Sequence, residues 1–175
     1  MMPGTDLFFY LASGVAVVST LAAITRLNAV HSLLYMVTSL LSVAVVFYVL
    51  GAPYIAALQA IVYAGAIMVL FVFVIMMLNQ GPQAADTERQ WLSPRTWVGP
   101  SMLAGVLLVE MVWLLRADPA VLPGNRVIDA REVSLALFGP YILVIELASL
   151  LLLAGLIGAY HLGRREPEPR PAGEP

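Results

Sequence analysis

YIAALQAIVYAGAIMVLFVFVIMML, residues 54–78, is the stretch that decides the fold. It carries no formal charge, and apart from the hydroxyls of Tyr54 and Tyr63 its only polar side chain is the amide of Gln59. About 20 apolar residues cross a ~30 Å hydrocarbon core, so this run is long enough to span a bilayer. Its apolar residues are continuous. A barrel strand would alternate apolar and polar positions over roughly ten residues. Lipid supplies no water to satisfy backbone N–H and C=O groups, so a continuous run of this length has to close its hydrogen bonds on itself as a helix.

The rest of the chain agrees with that solvent. Of its 175 residues 61% are hydrophobic and only 11% are charged, where an ordinary soluble domain carries about 25% charged residues. Mean hydropathy is +0.88. There is no cysteine, which removes disulfides, thiolate metal sites and iron–sulfur ligation from this chain's own chemistry. The two histidines, His31 and His161, stand near opposite chain ends and do not make a haem or zinc pair. A formal net charge of −2 argues for no nucleic-acid partner. The N-terminal segment lacks the basic region and small-residue cleavage pattern of a signal peptide, so the first apolar run reads as retained.

Working outward from residues 54–78, Gly51-Ala52-Pro53 is a tight break, since Pro53 removes a donor and Gly51 accepts unusual dihedrals. Before it lies a run over 29–50, and before that a run over 7–25 closed by Arg26 and Asn28. From Leu27 to Ala85 no residue is formally charged, which marks spans two and three as a hairpin sunk in the bilayer. Asn79 to Thr96 is polar and reads as a loop. Residues 97–115 form span four, with Trp97 and Trp113 near the two interfaces. A second loop runs from Arg116 to Arg131. The Asp129-Ala-Arg-Glu132 pattern starts a short helix there, and Gly139-Pro140 permits a bend. Residues 141–162 form span five. The reading is an all-α integral membrane protein of about five transmembrane helices, a single transmembrane domain over 1–163 followed by a disordered polar tail over 164–175.

Arginine placement orients the bundle. Arg26, Arg89, Arg95, Arg164, Arg165 and Arg170 share one side, against Arg116, Arg126 and Arg131 on the other. The larger group predicts an outside N-terminus and a cytoplasmic C-terminus.

Two carboxylates lie inside spans, Glu110 and Glu146. A charge at the centre of a membrane helix costs roughly 2.5–3.5 kcal/mol on insertion scales. Burial favours the neutral form of a carboxyl group, which is how such groups come to load and release protons in relays. Counting 1.5 Å per residue, Glu110 sits about 6 Å outward of the span-four midpoint near Val106. Glu146 sits about 7–8 Å outward of the span-five midpoint near Leu151, so the two share a depth. The bland alternative is that each hydrogen-bonds a neighbouring helix or chain. In span three, Gln59 and Tyr63 share a face, and Ala56, Ala60 and Ala64 form a small-residue stripe. Gly65 sits among bulky neighbours, where it either lets another helix approach or hosts a kink or π-bulge. The hydroxyls of Ser13, Ser19, Thr20, Thr38, Ser39, Ser42 and Ser149 are expected to bond their own helix or bridge to a neighbour. His31, beside Asn28 and Ser32, reads as structural. Met68, Met76 and Met77 read from spacing as packing or lipid contact.

Three stretches carry a resemblance. They are Asn28-Ala-Val-His31-Ser-Leu-Leu-Tyr35, Ala57-Leu-Gln59 through Tyr63-Ala-Gly65-Ala-Ile-Met68 to Leu78, and Glu146-Leu-Ala-Ser149-Leu-Leu-Leu-Leu153-Ala-Gly-Leu-Ile-Gly158-Ala. Together they resemble the J-chain family of proton-pumping NADH:quinone oxidoreductase (respiratory complex I), the bacterial counterpart of mitochondrial NADH dehydrogenase subunit six. The likeness covers about residues 5–163 and is looser in span four, around Glu110. It implies a non-redox subunit of the membrane arm in a bacterial inner (cytoplasmic) membrane, beside the small K chain and the H chain. Flavin mononucleotide, iron–sulfur clusters and quinone are then expected in the rest of the complex, with no cofactor bound by this chain. In this family the Tyr63–Gly65 stretch is associated with a π-bulge that converts to regular helix. A switch there would swing Met68 or Phe71 into or out of a proton path edged by Tyr63, Glu146 and Glu110.

Three other readings stand beside it. One is the homologous subunit of a related ferredoxin-using or hydrogenase complex. A second is a free-standing small transporter, which would be expected to show inverted repeats; no repeat between halves is evident. The third is an assembly subunit that does not move.

Overall fold

The computed structural model describes residues 3–26, 29–78, 94–116 and 127–164. The helices are α1 (Pro3–Thr25), α2 (Ala29–Val49), α3 (Pro53–Leu58), a π-helical segment (Gln59–Ile67), α4 (Met68–Leu78), α5 (Pro94–Arg116), α6 (Ala130–Leu137) and α7 (Ile142–Gly163). No strand occurs among the described residues. α3, the π segment and α4 join end to end as one rod. Five helices are long and apolar enough to cross a membrane, over Asp6–Thr25, Ala29–Val49, Pro53–Met77, Trp97–Arg116 and Ile142–Gly163. The chain is an all-α multi-pass membrane protein. The clearest difference from the expected runs is α5, which begins at Pro94 inside the expected loop. Proline suits a first helical position, where its missing N–H would have no intrahelical partner anyway. The rest of that loop, the middle of the 116–131 loop and the tail beyond Arg164 lie outside the described residues.

Contacts divide the chain into two units, Met1–Asp129 and Ala130–Pro175. In the first unit, α1 and α2 pack as an antiparallel hairpin with a hydroxyl seam. Thr20 Oγ1 and Ser39 Oγ are hydrogen-bonded at 2.7 Å, and the Ser32 hydroxyl donates to the Ala23 carbonyl at 2.6 Å. Ser42 and Thr38 return their protons to their own helix, donating to the carbonyls of Ser39 (2.8 Å) and Leu34 (2.9 Å). These are the two behaviours expected of membrane hydroxyls, and they hold small side chains together where lipid gives no hydrophobic drive. α5 closes the unit. Leu107 and Leu114 join Ala12 and Val15 of α1 and Val45 and Val49 of α2 in a buried core. Phe8 stacks on Trp113 with ring centroids 4.4 Å apart. At the other end of α5, Gly99 lies against the buried Tyr35, whose hydroxyl occupies the space a Cβ would need. The Arg26 guanidinium lies over the same ring, its Cζ 5.4 Å from the centroid.

The link between α2 and the third span is a C-terminal cap. Gly51 has φ 83°, its N–H donates to the Tyr48 carbonyl, and the Ala52 N–H donates to the Phe47 carbonyl, both at 3.0 Å. That is the Schellman arrangement, which satisfies helix-end carbonyls in little space. Pro53 then opens α3 at its first turn. The Ile128 N–H donates to the Gly51 carbonyl at 2.9 Å, tying residues 127–129 to this turn.

In the second unit α6 begins directly after Asp129, as the capping pattern predicts. The expected bend falls between α6 and α7. There the Tyr141 N–H reaches back to the Ala136 carbonyl at 3.2 Å, and a Cβ on Gly139 would lie 2.6 Å from the Leu135 carbonyl oxygen. Only glycine fits.

Gly51→Ala forces a side chain into the left-handed region and is expected to cost about 1–2 kcal/mol. Heating detergent-solubilised membranes and assaying the chain left in solution should show a lower midpoint. Leu50→Ala, at an exposed position, should not move it.

Candidate coupling site

The third span widens where its side chains shrink. Ala60, Ala64, Gly65 and Ala66 lie within the π segment, and small side chains tolerate the extra residue per turn that i→i−5 bonding inserts. The rod enters with Leu58 at φ −62°, ψ −41° and leaves with Met68 at φ −68°, ψ −36°, both right-handed helical. At the exit the Met68 N–H points to the carbonyls of Tyr63, five residues back, and Gly65.

The expected π-bulge at Tyr63–Gly65 is therefore present and longer than anticipated, covering Gln59–Ile67. The other reading of Gly65, as a notch for a neighbouring helix, finds no support within this unit. A Cβ there would meet only the Ala60 carbonyl of its own helix, at 3.4 Å. Met68 turns into the unit and is buried, 5% exposed. Tyr63 and Phe71, on the same rod, are about half exposed. Within this rod the structure thus brings Tyr63, Gly65, Met68 and Phe71 together but sends Met68 inward and the two aromatic rings outward.

An apolar cavity of about 560 Å³ runs between α2, the α3–π rod and α5. Tyr48, Ala56, Ala60, Ala104, Leu107 and Met111 are among the residues that line it. Two members of the alanine stripe, Ala56 and Ala60, thus border open space beside the π segment. The sequence signalled the stripe through its four-residue spacing but not that it faces a void.

The two carboxylates part company. Glu146 belongs to the second unit, on α7, with its side chain exposed and its backbone carbonyl accepting the Ser149 hydroxyl at 2.7 Å. Glu110 belongs to the first unit and is buried, 4% exposed, on the α5 face that carries Leu103, Leu107 and Leu114. Neither of its carboxylate oxygens has a hydrogen-bond partner among the described residues, and the same holds for the hydroxyl of Ser19, which is fully buried. Glu110 is thus the carboxyl group that its own unit buries, although the resemblance is looser around it. The spacing of Leu103, Leu107, Glu110 and Leu114 is the signal that places it inside.

Among the described residues no three histidine, aspartate or glutamate side chains gather as a metal site. What the arrangement offers is a π-helical backbone segment beside an open cavity, and an inward carboxyl group.

Comparison with known proteins gives one consistent answer. The family model for NADH-ubiquinone/plastoquinone oxidoreductase chain 6 matches residues 19–162. NADH-quinone oxidoreductase subunit J of Pseudomonas aeruginosa is 57% identical over 159 residues, covering 90% of this chain and 96% of the relative. The subunit J of Escherichia coli (strain K12) is 51% identical over 159 residues, covering 90% and 86% respectively. That of Buchnera aphidicola subsp. Schizaphis graminum is 45% identical over 161 residues, covering 92% and 99%.

A buried polar group without a partner costs about 1–3 kcal/mol, and replacing it by an apolar group of similar shape recovers that cost. Glu110→Leu should therefore raise the thermal midpoint of the membrane-extracted assembly or leave it unchanged. A drop would reveal a bonded partner for the carboxyl group.

Proposed function

The chain belongs to the NADH-ubiquinone/plastoquinone oxidoreductase chain 6 family, and from that membership we propose that it works as a non-redox, membrane-arm subunit of a proton-pumping NADH:quinone oxidoreductase. Its partners are the other subunits of that assembly, with the K and H chains as immediate neighbours. Flavin, iron–sulfur clusters and quinone are held by other chains. Its place is the bacterial inner membrane, N-terminus outside and C-terminus in the cytoplasm, with residues 1–163 acting as one membrane domain and 164–175 as a polar tail.

The observation that carries the mechanism is the π segment over Gln59–Ile67. A π-helical stretch holds one surplus residue, and releasing it into regular α-helix turns everything beyond by about 100°. Met68 sits at the exit of that stretch and is buried, whereas Phe71 one turn on is exposed. A single register step therefore exchanges which of these bulky side chains faces the interior of the unit. The cavity beside Ala56 and Ala60 gives the rod room to move without expelling packed side chains. Quinone reduction in a neighbouring chain drives the step. The step makes or breaks a water path edged by Tyr63, with Glu110 and Glu146 as the carboxyl groups it connects to those of neighbouring chains.

Gly65→Leu adds bulk at the segment and should lock one form. In the assembled complex, proton yield per NADH or quinone reduction should then fall severalfold, measured in inverted vesicles. Activity and yield equal to wild type would rule out a switching role. Glu146→Gln should lower the proton yield while NADH oxidation with an artificial acceptor persists. An intact yield would make Glu146 a structural residue.

A further inference from the structure

Glu110 is buried on the α5 face that carries Leu107 and Leu114. It stands three residues before Trp113, about 4.5 Å along the helix axis, and Phe8 of α1 stacks on that indole at 4.4 Å with 28° between the planes. Arg116, exposed at the end of α5, is about 9 Å away along the axis. The aromatic stack and Leu114 therefore lie between Glu110 and the membrane surface on the Arg116 side. α1 runs antiparallel to α5, since Phe8 meets Trp113 while Gly14, Val15 and Val18 share a cleft with Leu103. In the other direction the first layer is thus Leu107 with Val15 and Val45, all buried. Beyond that layer the α1–α2 interface turns polar, with Ser19 and Ser42 fully buried and Thr20 bonded to Ser39.

An ionised carboxylate here would be uncompensated, and an isolated charge in an apolar interior costs far more than its neutral acid. The titratable and charged groups on the packed elements give no relief. On α1, Asp6 lies beyond the Phe8 stack and Tyr10 is exposed. On α2, Tyr48 packs against the core, and His31 and Tyr35 are near the opposite end. On α5, Arg116 is exposed. None of them hydrogen-bonds either carboxylate oxygen. A structural role would require a partner, and the described residues provide none.

We propose that Glu110 is an occluded proton-binding site, closed toward the Arg116 end by the Phe8–Trp113 stack and toward the hydroxyl-lined half of the α1–α2 hairpin by Val15, Val45 and Leu107. The inference deepens the reading of Glu110 as part of a proton path. It adds that the carboxyl group holds a proton at rest and that the aromatic stack is the outer gate. One contact between two rings, with Trp113 itself 47% exposed, covers that end, so a change of Phe8 or Trp113 rotamer admits water, whereas the inner end is covered by aliphatic packing from three helices.

The test is infrared spectroscopy on the intact, membrane-extracted assembly, comparing wild type with Glu110→Gln. A C=O stretch of a protonated carboxylic acid should be present in the wild type and missing from the variant. In D2O that band should shift slowly in the wild type. In Trp113→Ala and in Phe8→Leu it should shift about tenfold faster, the change that a ~1.4 kcal/mol lower barrier produces. Phe8→Leu keeps the apolar volume, so it preserves the test should the tryptophan variant not assemble. Absence of any acid band assignable to Glu110 overturns the proposal, as does exchange at the wild-type rate in the gate variants. If the band and its gating are found while Glu110→Gln pumps normally, the occluded site stands and only its membership of the pumping path falls.

Discussion

A backbone amide in hydrocarbon has only its own chain to bond to, and the architecture follows from that constraint. It forces five continuous helices. It also governs each irregularity. The turn after α2 is a Schellman cap that returns the Gly51 and Ala52 N–H groups to the helix just ended. The widened stretch of the third span keeps its ladder by reaching back five residues instead of four. Hydroxyls in the α1–α2 hairpin bond their own helix, each other or a carbonyl of the facing helix, with the buried Ser19 hydroxyl as the exception. Irregular backbone survives at this depth only where it carries its own hydrogen bonds.

The proposed movement of the π segment relies on that economy. A kink that broke hydrogen bonds inside lipid would cost several kcal/mol per orphaned group and would be frozen by that cost. A π-to-α change exchanges one satisfied ladder for another. Side-chain packing then decides the balance between the two forms, and here the packing is weak by construction. No residue of the π segment is buried, and Ala60 borders a cavity.

The five spans were legible because hydropathy and charge report directly on solvent, and lipid is a severe solvent. The break at Gly51-Ala52-Pro53, the start of α6 after Asp129 and the bend at Gly139 were legible because each depends on a residue with its own backbone chemistry. The length of the π segment was not. Each residue from Gln59 to Ile67 is compatible with α-helix, and the choice rests on how the whole stretch packs against α2 and on what it leaves open. The difference between Glu110 and Glu146 was only half legible. Both read as carboxylates in apolar runs at a similar depth. Glu110 shares a helix face with Leu103, Leu107 and Leu114, which pack against α1 and α2, whereas the helix of Glu146 has no buried residue on any face. The Phe8–Trp113 stack had no sequence signal at all, because the two rings are brought together by the register of α1 against α5.

The positions of the two features suggest a division of labour. The π segment turns Tyr63 outward from its unit while Ala60 borders the cavity. Glu110 faces inward, toward α1 and α2. They are joined through α5 and the cavity, since Leu107, which forms the inner wall below Glu110, also lines the space beside Ala60. A change of register in the rod alters the wall of that cavity, and Leu107 is the side chain common to the cavity and to the Glu110 compartment. Coupling of that kind needs no charged relay along its length. The proposed coupling relies on a backbone with two satisfied ladders, an open volume for the difference between them, and one apolar side chain shared by the rod's cavity and the surroundings of Glu110.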